Sequence, residues 1–438
     1  MIKKRKNIKD ELIVEDELYL LAYFDQLTLM PNEKYFYEEL DFKISESNKK
    51  DFYAAVYLKV NNLENLHNIL GFEKSSEFIS ELADHIKDNN DAELISLYQR
   101  NKFLLCYELQ NGTNTLKNKL NRLLLMVKKF ISAKNYEYLL SVNIGAAIYP
   151  EHSESASDIL TKAHNAVYTI ANDINSYQIY DEKIFLQKLE KEALKQDLKQ
   201  AIEDEEFYLK FQPKVKTDQE KITAVEALIR WDHRDKGSIS PAEFIPLAEK
   251  TGLIKKIGIL VLKEVFETLK LWQKKGMKDI KVGINISLIE LNDPKILNNI
   301  KYIADSYSID NSMIEFEITE RSFIEISEEI LDEIKNMGFS IALDDFGTGY
   351  SSLSFLNKLA IDILKLDKTF IDKVNETKTR KLVDGVIKIS HDLGLKVVAE
   401  GVENKDQLEI LKDLKCDYIQ GYYFYRPMLR NNVEKLIN

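Results

Sequence analysis

From residue 207 onward, short apolar runs recur at regular intervals, and helix-period patterns fill most of the gaps between them. Eight runs read as strands: 207–215, 222–231, 281–287, 313–319, 339–346, 361–367, 395–401 and 417–424. Alternating strands and helices imply a parallel sheet, and eight strands in this length imply a closed (β/α)8, TIM-like barrel. One departure is visible. Only "KTDQEK" separates the first two runs, too few residues for a parallel crossover, which takes roughly a dozen. The first strand is therefore expected to pair antiparallel and to make the barrel irregular at its start.

Residues 18 to 180 have a different texture. "YEELDFKI" has a helical pattern, "FYAAVYLKV" (52–60) reads as a strand, and "SSEFISELADHIKD" (75–88) repeats apolar residues at helical spacing. "AELISLYQRNKFLLCYEL" (92–109) is two apolar runs around a polar turn, the pattern of a hairpin. A helix over 115–131, a strand over 138–148, a helix over 157–172 and a strand over 176–180 complete an α+β domain. Residues 181–206 lack proline and glycine and mix charges freely, so they read as a stiff helical connector. Residues 1–17 form an N-terminal tail, and the barrel occupies 207–438.

Composition narrows the function classes. A chain of 438 residues exceeds one ordinary core, and 45% hydrophobic with 30% charged residues is a globular balance. The formal charge of −11 argues against a DNA-binding protein, whose affinity comes from neutralising phosphates. An acidic chain that takes a phosphate ester needs metal ions or a few placed cations. Cys106 and Cys416 each sit inside an apolar run and read as core residues of a reducing compartment. No apolar stretch reaches the roughly 18 residues of a membrane span. The opening "MIKKRKNIKDELIVEDE" lacks the apolar core of a signal peptide. A cytoplasmic location is the expectation.

In such barrels the carboxyl ends of the strands build the active site. Read in order, those ends supply Gln212, Glu226, Asn285, Glu317, Asp344 with Asp345, Lys365, Glu400 and Gln420. In "MIEFEIT", Ile314, Phe316 and Ile318 share one face and leave Glu317 on the other; in "KVGINIS", Asn285 lies opposite Val282, Ile284 and Ile286. Any one of these polar groups, taken alone, reads as a solvated rim residue. Together, five carboxylates and several amides converge on one mouth with a single lysine. Such a cluster destabilises a fold unless cations sit among the acids. An all-oxygen set without His or Cys suits Mg²⁺ or Mn²⁺ rather than zinc. Two hard cations roughly 4 Å apart are a standard device for phosphodiester hydrolysis, and adjacent carboxylates such as Asp344 and Asp345 suit the bridge between them. The chemistry reaches a two-metal phosphoryl hydrolase but no substrate.

"FQPKV" (211–215), "AVEALIRW" (224–231), "FIPLAEKTGLI" (244–254), "INIS" (284–287), "FEITE" (316–320), "LDDFGTGYSSLSFL" (343–356), "DILKLD" (362–367), "VVAEGVE" (397–403) and "DYIQGYYFYRPM" (417–428) together resemble the EAL domain, in order over roughly 190–435. The resemblance implies metal-dependent hydrolysis of the bacterial second messenger cyclic di-GMP to linear pGpG. It also implies a barrel with an antiparallel first strand. Carried over by position, Glu226, Asn285, Glu317 and Asp344 hold one metal. Asp344 bridges to a second, which Asp345 completes with Glu400 close by. Lys365 orients or helps deprotonate the attacking water, and Gln420 positions a water on the metal. Arg230 pairs with a substrate phosphate, Gln212 contacts substrate, and Glu320 braces the loop holding the aspartates, where Gly347 and Gly349 let the chain turn. The family further implies a homodimer formed through the barrel, by the segment after the Asp-Asp pair and its neighbouring helices.

In the first half, "LAYFDQLTLMPN" (21–32) and "GAAIYPEHSESASDILTKAHNAVYTI" (145–170) resemble a GGDEF domain, the diguanylate cyclase palm-like fold. Its chemistry is eroded. The turn that names the family reads Gln99, Arg100, Asn101, Lys102, Phe103, and Lys59 stands where a metal-binding aspartate belongs. His67 and Asn68 occupy guanine-recognition positions, Asn172 replaces a phosphate-facing lysine, and Asn90 and Glu93 stand at the inhibitory product site. A lysine in a would-be Mg²⁺ site repels the ion, so this domain is expected to be a catalytically dead scaffold for dimerisation or for a protein partner. Two other readings stay open: GTP sensing by this domain, and a nonenzymatic cyclic di-GMP receptor or interaction protein.

Overall fold

The computed structural model describes residues 18–48, 51–109, 113–170, 175–347 and 360–437. The N-terminal tail, Asn172 and Gly349 lie outside them, as does most of the segment after the Asp-Asp pair. The chain divides into two compact units, Met1–Lys191 and Glu192–Asn438.

The first unit carries five strands: β1 (Phe52–Asn61), β2 (Leu94–Gln99), β3 (Lys102–Leu109), β4 (Ser141–Tyr149) and β5 (Ser176–Ile179), in the order β2-β3-β1-β4-β5. Period-2 alternation gives β1 two buried faces. Ala54, Val56, Leu58 and Val60 pack with Phe78, Leu82, Leu116 and Leu120 of helices Leu63–Asn89 and Thr113–Ala133. Ala55 and Tyr57 face Phe36, Leu40, Ile159 and Ala163 of helices Glu33–Ser45 and Ala156–Thr169. Helix Leu63–Asn89 begins well before the expected residue 75. It is interrupted at Gly71, whose φ of +86° and ψ of 172° are not helical, so two helical stretches meet there at a kink.

The second unit holds β6 (Phe207–Lys216), β7 (Lys221–His233), β8 (Gly237–Ile239), β9 (Lys281–Asn285), β10 (Ile314–Thr319), β11 (Ser340–Phe346), β12 (Ile363–Leu366), β13 (Lys396–Glu400) and β14 (Tyr418–Gln420). The ladder runs β6-β14-β13-β12-β11-β10-β9-β7 and closes through β6–β7, an eight-stranded barrel with β8 added at β7. β6 is antiparallel to both neighbours, and the remaining barrel pairs are parallel. The short connection after β6 forces this reversal, as expected. It also corrects one placement. Gln212 reaches the mouth from mid-strand on a chain running the other way, opposite Glu226, and not from a carboxyl end.

Val282, Ile284, Ile314, Phe316 and Ile318 turn outward into the core shared with the surrounding helices. Full burial of such side chains stabilises by about 1.5–3 kcal/mol each. Inside the barrel the apolar filling is slight: Ala342, Ile363 and Val398 form one small cluster, with Tyr418 against it. Helix Glu182–Glu203 contributes Leu194, Leu198 and Ala201 to the larger core. Both cysteines are buried, and burial pushes each thiol up to about 12. Among the described residues no helix is long and apolar enough to cross a membrane.

Candidate functional site

The centre of the barrel mouth is Lys365 on β12, 1% exposed. Its Nζ lies 2.5 Å from Glu317 Oε2, 2.8 Å from Glu400 Oε1, 3.0 Å from Asp344 Oδ1 and 3.7 Å from Glu226 Oε2. Four parallel or hairpin strands deliver these acids because each places a polar residue on its inner face near the mouth. Burial opposes the lysine charge, but Asp344, Glu226, Glu317 and Glu400 hold it protonated well above the usual lysine range. Glu226 is linked sideways: Asn285 Nδ2 donates to Oε1 at 2.7 Å and Gln420 Nε2 to Oε2 at 2.6 Å.

The two adjacent aspartates need a special backbone. In a regular strand, neighbours point to opposite faces. Here the β11–β12 register shifts between Leu343 and Phe346, and Asp345 adopts φ +55°. A bulge re-aims side chains in this way. As a result Asp344, Asp345 and Glu400 offer oxygens that all lie within 4.8 Å of one another, among the described residues the group suited to hold a metal ion. Gly347 follows at φ +96°, where a Cβ would sit 2.1 Å from the Phe370 ring. Its N–H donates to Glu320 Oε2 at 2.7 Å, and Glu320 is buried.

Electrostatics divides the acids. Burial pushes Glu400 up to about 8, with Lys365 offsetting part of the effect. Burial likewise raises Glu226, and burial then Asp344 raise Asp345. Glu317 goes the other way: Lys214 and Lys365 outweigh its burial and hold it at about 2. Excess negative charge of this kind calls for added cations. A second observation points the same way. Gln420 Oε1 is buried with no hydrogen-bond partner among the described residues, and a buried acceptor of this kind is ordinarily satisfied by water or an ion. The all-oxygen donor set therefore fits a hard divalent cation.

Gln212 donates to the Tyr425 carbonyl at 3.2 Å and accepts from Gln420 at 3.3 Å. Arg230 donates to the Ile229 carbonyl at 2.7 Å. It shares with Glu226, Asn285 and Glu317 the lining of a cavity of about 390 Å³. A second cavity of about 320 Å³ is lined by Gln212, Glu226, Asp344, Lys365, Glu400 and Gln420.

The expectation of a single lysine is corrected. Lys214 on β6 is also inside the barrel, 2% exposed, bonded to Glu317 Oε1 at 2.6 Å and Glu315 Oε1 at 2.8 Å. Sequence reading passed over both residues because a charged residue in mid-strand ordinarily faces solvent. The available signal was parity. Glu315 and Glu317 share one strand face, and that face turns inward.

In the first unit, Lys59 and Lys102 are register partners across β1 and β3. Lys102 Nζ donates to Gln99 Oε1 at 2.6 Å, Asn101 Nδ2 to the Val60 carbonyl at 3.0 Å, and the Arg100 guanidinium stacks 4.1 Å from the Phe72 ring centre. Lys59, His67, Arg100 and Asn101 line a cavity of about 530 Å³, and Phe103 is buried in the core. Glu93 pairs with Lys43 at 2.6 Å, and Asn90 accepts from the Tyr107 hydroxyl at 3.0 Å.

Comparison with known proteins follows the same division. The EAL domain profile matches residues 195–427, and the diguanylate cyclase GGDEF domain profile matches 22–175. The bifunctional diguanylate cyclase/cyclic di-GMP phosphodiesterase MucR of Pseudomonas aeruginosa is 31% identical over 94% of this chain and 61% of its own. The cyclic di-GMP phosphodiesterase PdeR of Escherichia coli is 27% identical over 96% of this chain and 64% of its own. The chain thus spans less than two thirds of the length of either relative. A solved PaMucR phosphodiesterase in complex with c-di-GMP aligns at TM-score 0.52 and 36% identity, covering 55% of this chain and 99% of that one. The EAL enzyme Bd1971 in its cAMP- and cyclic-di-GMP-bound form aligns at 0.55 and 29%, covering 57% and 70%. The barrel, its reversed first strand and its acid-lined mouth therefore have a family: this chain belongs to the EAL-domain proteins, with a GGDEF domain preceding the barrel.

Proposed function

We propose that the barrel, from about residue 207 with the helix before it as connector, hydrolyses cyclic di-GMP to linear pGpG with two Mg²⁺ or Mn²⁺ ions. The observation that carries this reading is the convergence of Asp344, Asp345 and Glu400 on one point beside a lysine that touches three acids. Relatives named as cyclic di-GMP phosphodiesterases support the substrate. Glu226, Asn285, Glu317 and Asp344 would hold one ion, and Asp345 with Asp344 and Glu400 would hold the other. When bound, such ions polarise the phosphoryl oxygens and make water a stronger nucleophile.

The chain's own groups supply the rest. Lys365, held as an ammonium, orients the attacking water and offsets the charge of the acids around it. Glu400, whose Oε1 lies 2.8 Å from Lys365 Nζ, is placed to accept the water's proton at a carboxylate oxygen. The water oxygen forms the new bond to phosphorus as the bond to the ribose 3′ oxygen breaks, and that oxygen takes a proton from water to leave as a hydroxyl. Arg230 presents a planar fork to a phosphate, and Gln212 and Gln420 position substrate and water through their buried amides. Glu320 braces the turn after Asp345 through the Gly347 N–H.

The first unit acts in this reading as a scaffold or regulator without cyclase activity, because lysines stand where an ion would bind. The protein works as a cytoplasmic homodimer through its barrel. Purified protein with either metal should convert cyclic di-GMP to pGpG by chromatography, and Glu226→Ala should abolish turnover. Tight binding of the dinucleotide without cleavage under both metals would establish the receptor reading instead. A calorimetric GTP titration that saturates at micromolar ligand would replace the scaffold by a GTP sensor.

A further inference from the structure

We propose that Lys214 is a positioning residue for the reaction, aiming the carboxylate of Glu317 from beneath the mouth. This inference rests on the phosphodiesterase reading and its assignment of Glu317 as a metal ligand. Glu317 is gripped through both oxygens by ammonium groups from two different strands. Oε1 accepts from Lys214 of β6 at 2.6 Å and Oε2 from Lys365 of β12 at 2.5 Å. Lys365 is shared among four acids. It cannot fix the rotation of any one of them alone, and the second grip removes that freedom from Glu317.

The surrounding strand is cut back to admit this arrangement. A Cβ on Gly283 of β9 would lie 2.0 Å from Glu317 Oε1 and 3.0 Å from Lys214 Nζ. Glycine there keeps the space in which carboxylate and ammonium meet. Glu315, 2% exposed, supplies Lys214 with its own counter-charge at 2.8 Å. The Lys214–Glu315 pair is thus neutral as a unit. It adds orientation to the mouth without changing the charge that faces an incoming cation. Outer groups of this sort typically change metal affinity by about 10–100-fold.

Neutrality makes the test clean. The double variant Lys214→Met/Glu315→Gln removes the pair at constant net charge. Full-length protein is titrated with Mn²⁺ alone, by calorimetry and electron paramagnetic resonance, with a thermal melt alongside. The expected result is a melt close to the parent and Mn²⁺ binding at least about tenfold weaker. Glu315→Gln alone, which leaves Lys214 on Glu317, should keep the parent affinity within about threefold. Parent affinity in the double variant overturns the proposal, as does a loss in Glu315→Gln equal to that of the double. If the double variant unfolds, Gly283→Ala serves: it displaces the same oxygen and leaves both lysines, and unchanged Mn²⁺ affinity there also overturns the proposal. Parent protein that takes up no Mn²⁺ would instead sink the metal-dependent reading, and this inference with it.

Discussion

The barrel mouth and the β2–β3 turn of the first unit both gather polar groups at strand ends, and they differ in the sign of the charge gathered. At the mouth, carboxylates outnumber lysines, and the acids hold Lys365 protonated beyond the ordinary lysine range. At the turn, burial and then the charge of Lys59, its register partner, push Lys102 below that range. A cation added to the first cluster relieves repulsion, and one added to the second increases it. Fold alone does not give function. Here two clusters of polar groups on different folds differ in whether they would welcome or repel a cation.

The largest effect should come from the mouth. Asp344→Asn leaves the barrel folded by circular dichroism but abolishes both Mn²⁺ uptake and cyclic di-GMP hydrolysis; an active variant would break the contrast. The reverse change tests the turn. On the Asp344→Asn background, Lys59→Asp/Lys102→Glu should create a weak Mn²⁺ site in the first unit, seen as paramagnetic broadening that the background lacks. No broadening would mean that charge sign is not what separates the two regions. A smaller loss, about tenfold in kcat with KM little changed, is expected for Glu320→Ala, which frees the Gly347 N–H. Equal loss in KM would argue for a substrate role instead.

The smallest effect concerns stability. Burial lifts Glu290, in the capping box of helix Leu288–Leu291, to about 7. Its folded value exceeds its unfolded one, so its contribution is fully present below about pH 4.5 and is lost as pH rises through 7. Glu290→Gln should therefore gain about 3 kcal/mol over the parent at pH 8, with the gap closing at pH 4.5. Denaturant melts at both pH values check this.

Much of the architecture was legible because period-2 and helical-period patterns are set by the same burial that builds the core. Glu317 and Asn285 could be assigned to the inner face from parity alone. The antiparallel start followed from loop length. What escaped was set by tertiary context. Lys214 and Glu315 looked like solvent-facing charges until the inner face was closed around them, and the bulge that turns Asp345 beside Asp344 leaves no signature in residue type. The helical stretch before Gly71 was hidden because that glycine interrupts the helix, which resumes beyond the kink.

The charged filling of the barrel also bears on how it closes. An apolar interior tolerates a strand that docks one residue out of place, since most side chains still find apolar neighbours. In this barrel a one-residue slip of β6 would turn Lys214 out of the interior and leave Glu315 and Glu317 buried without it. Breaking a buried pair in that way costs about 3–5 kcal/mol. The strand that runs against the others therefore carries an ion pair that is satisfied in the native register and lost in the neighbouring ones.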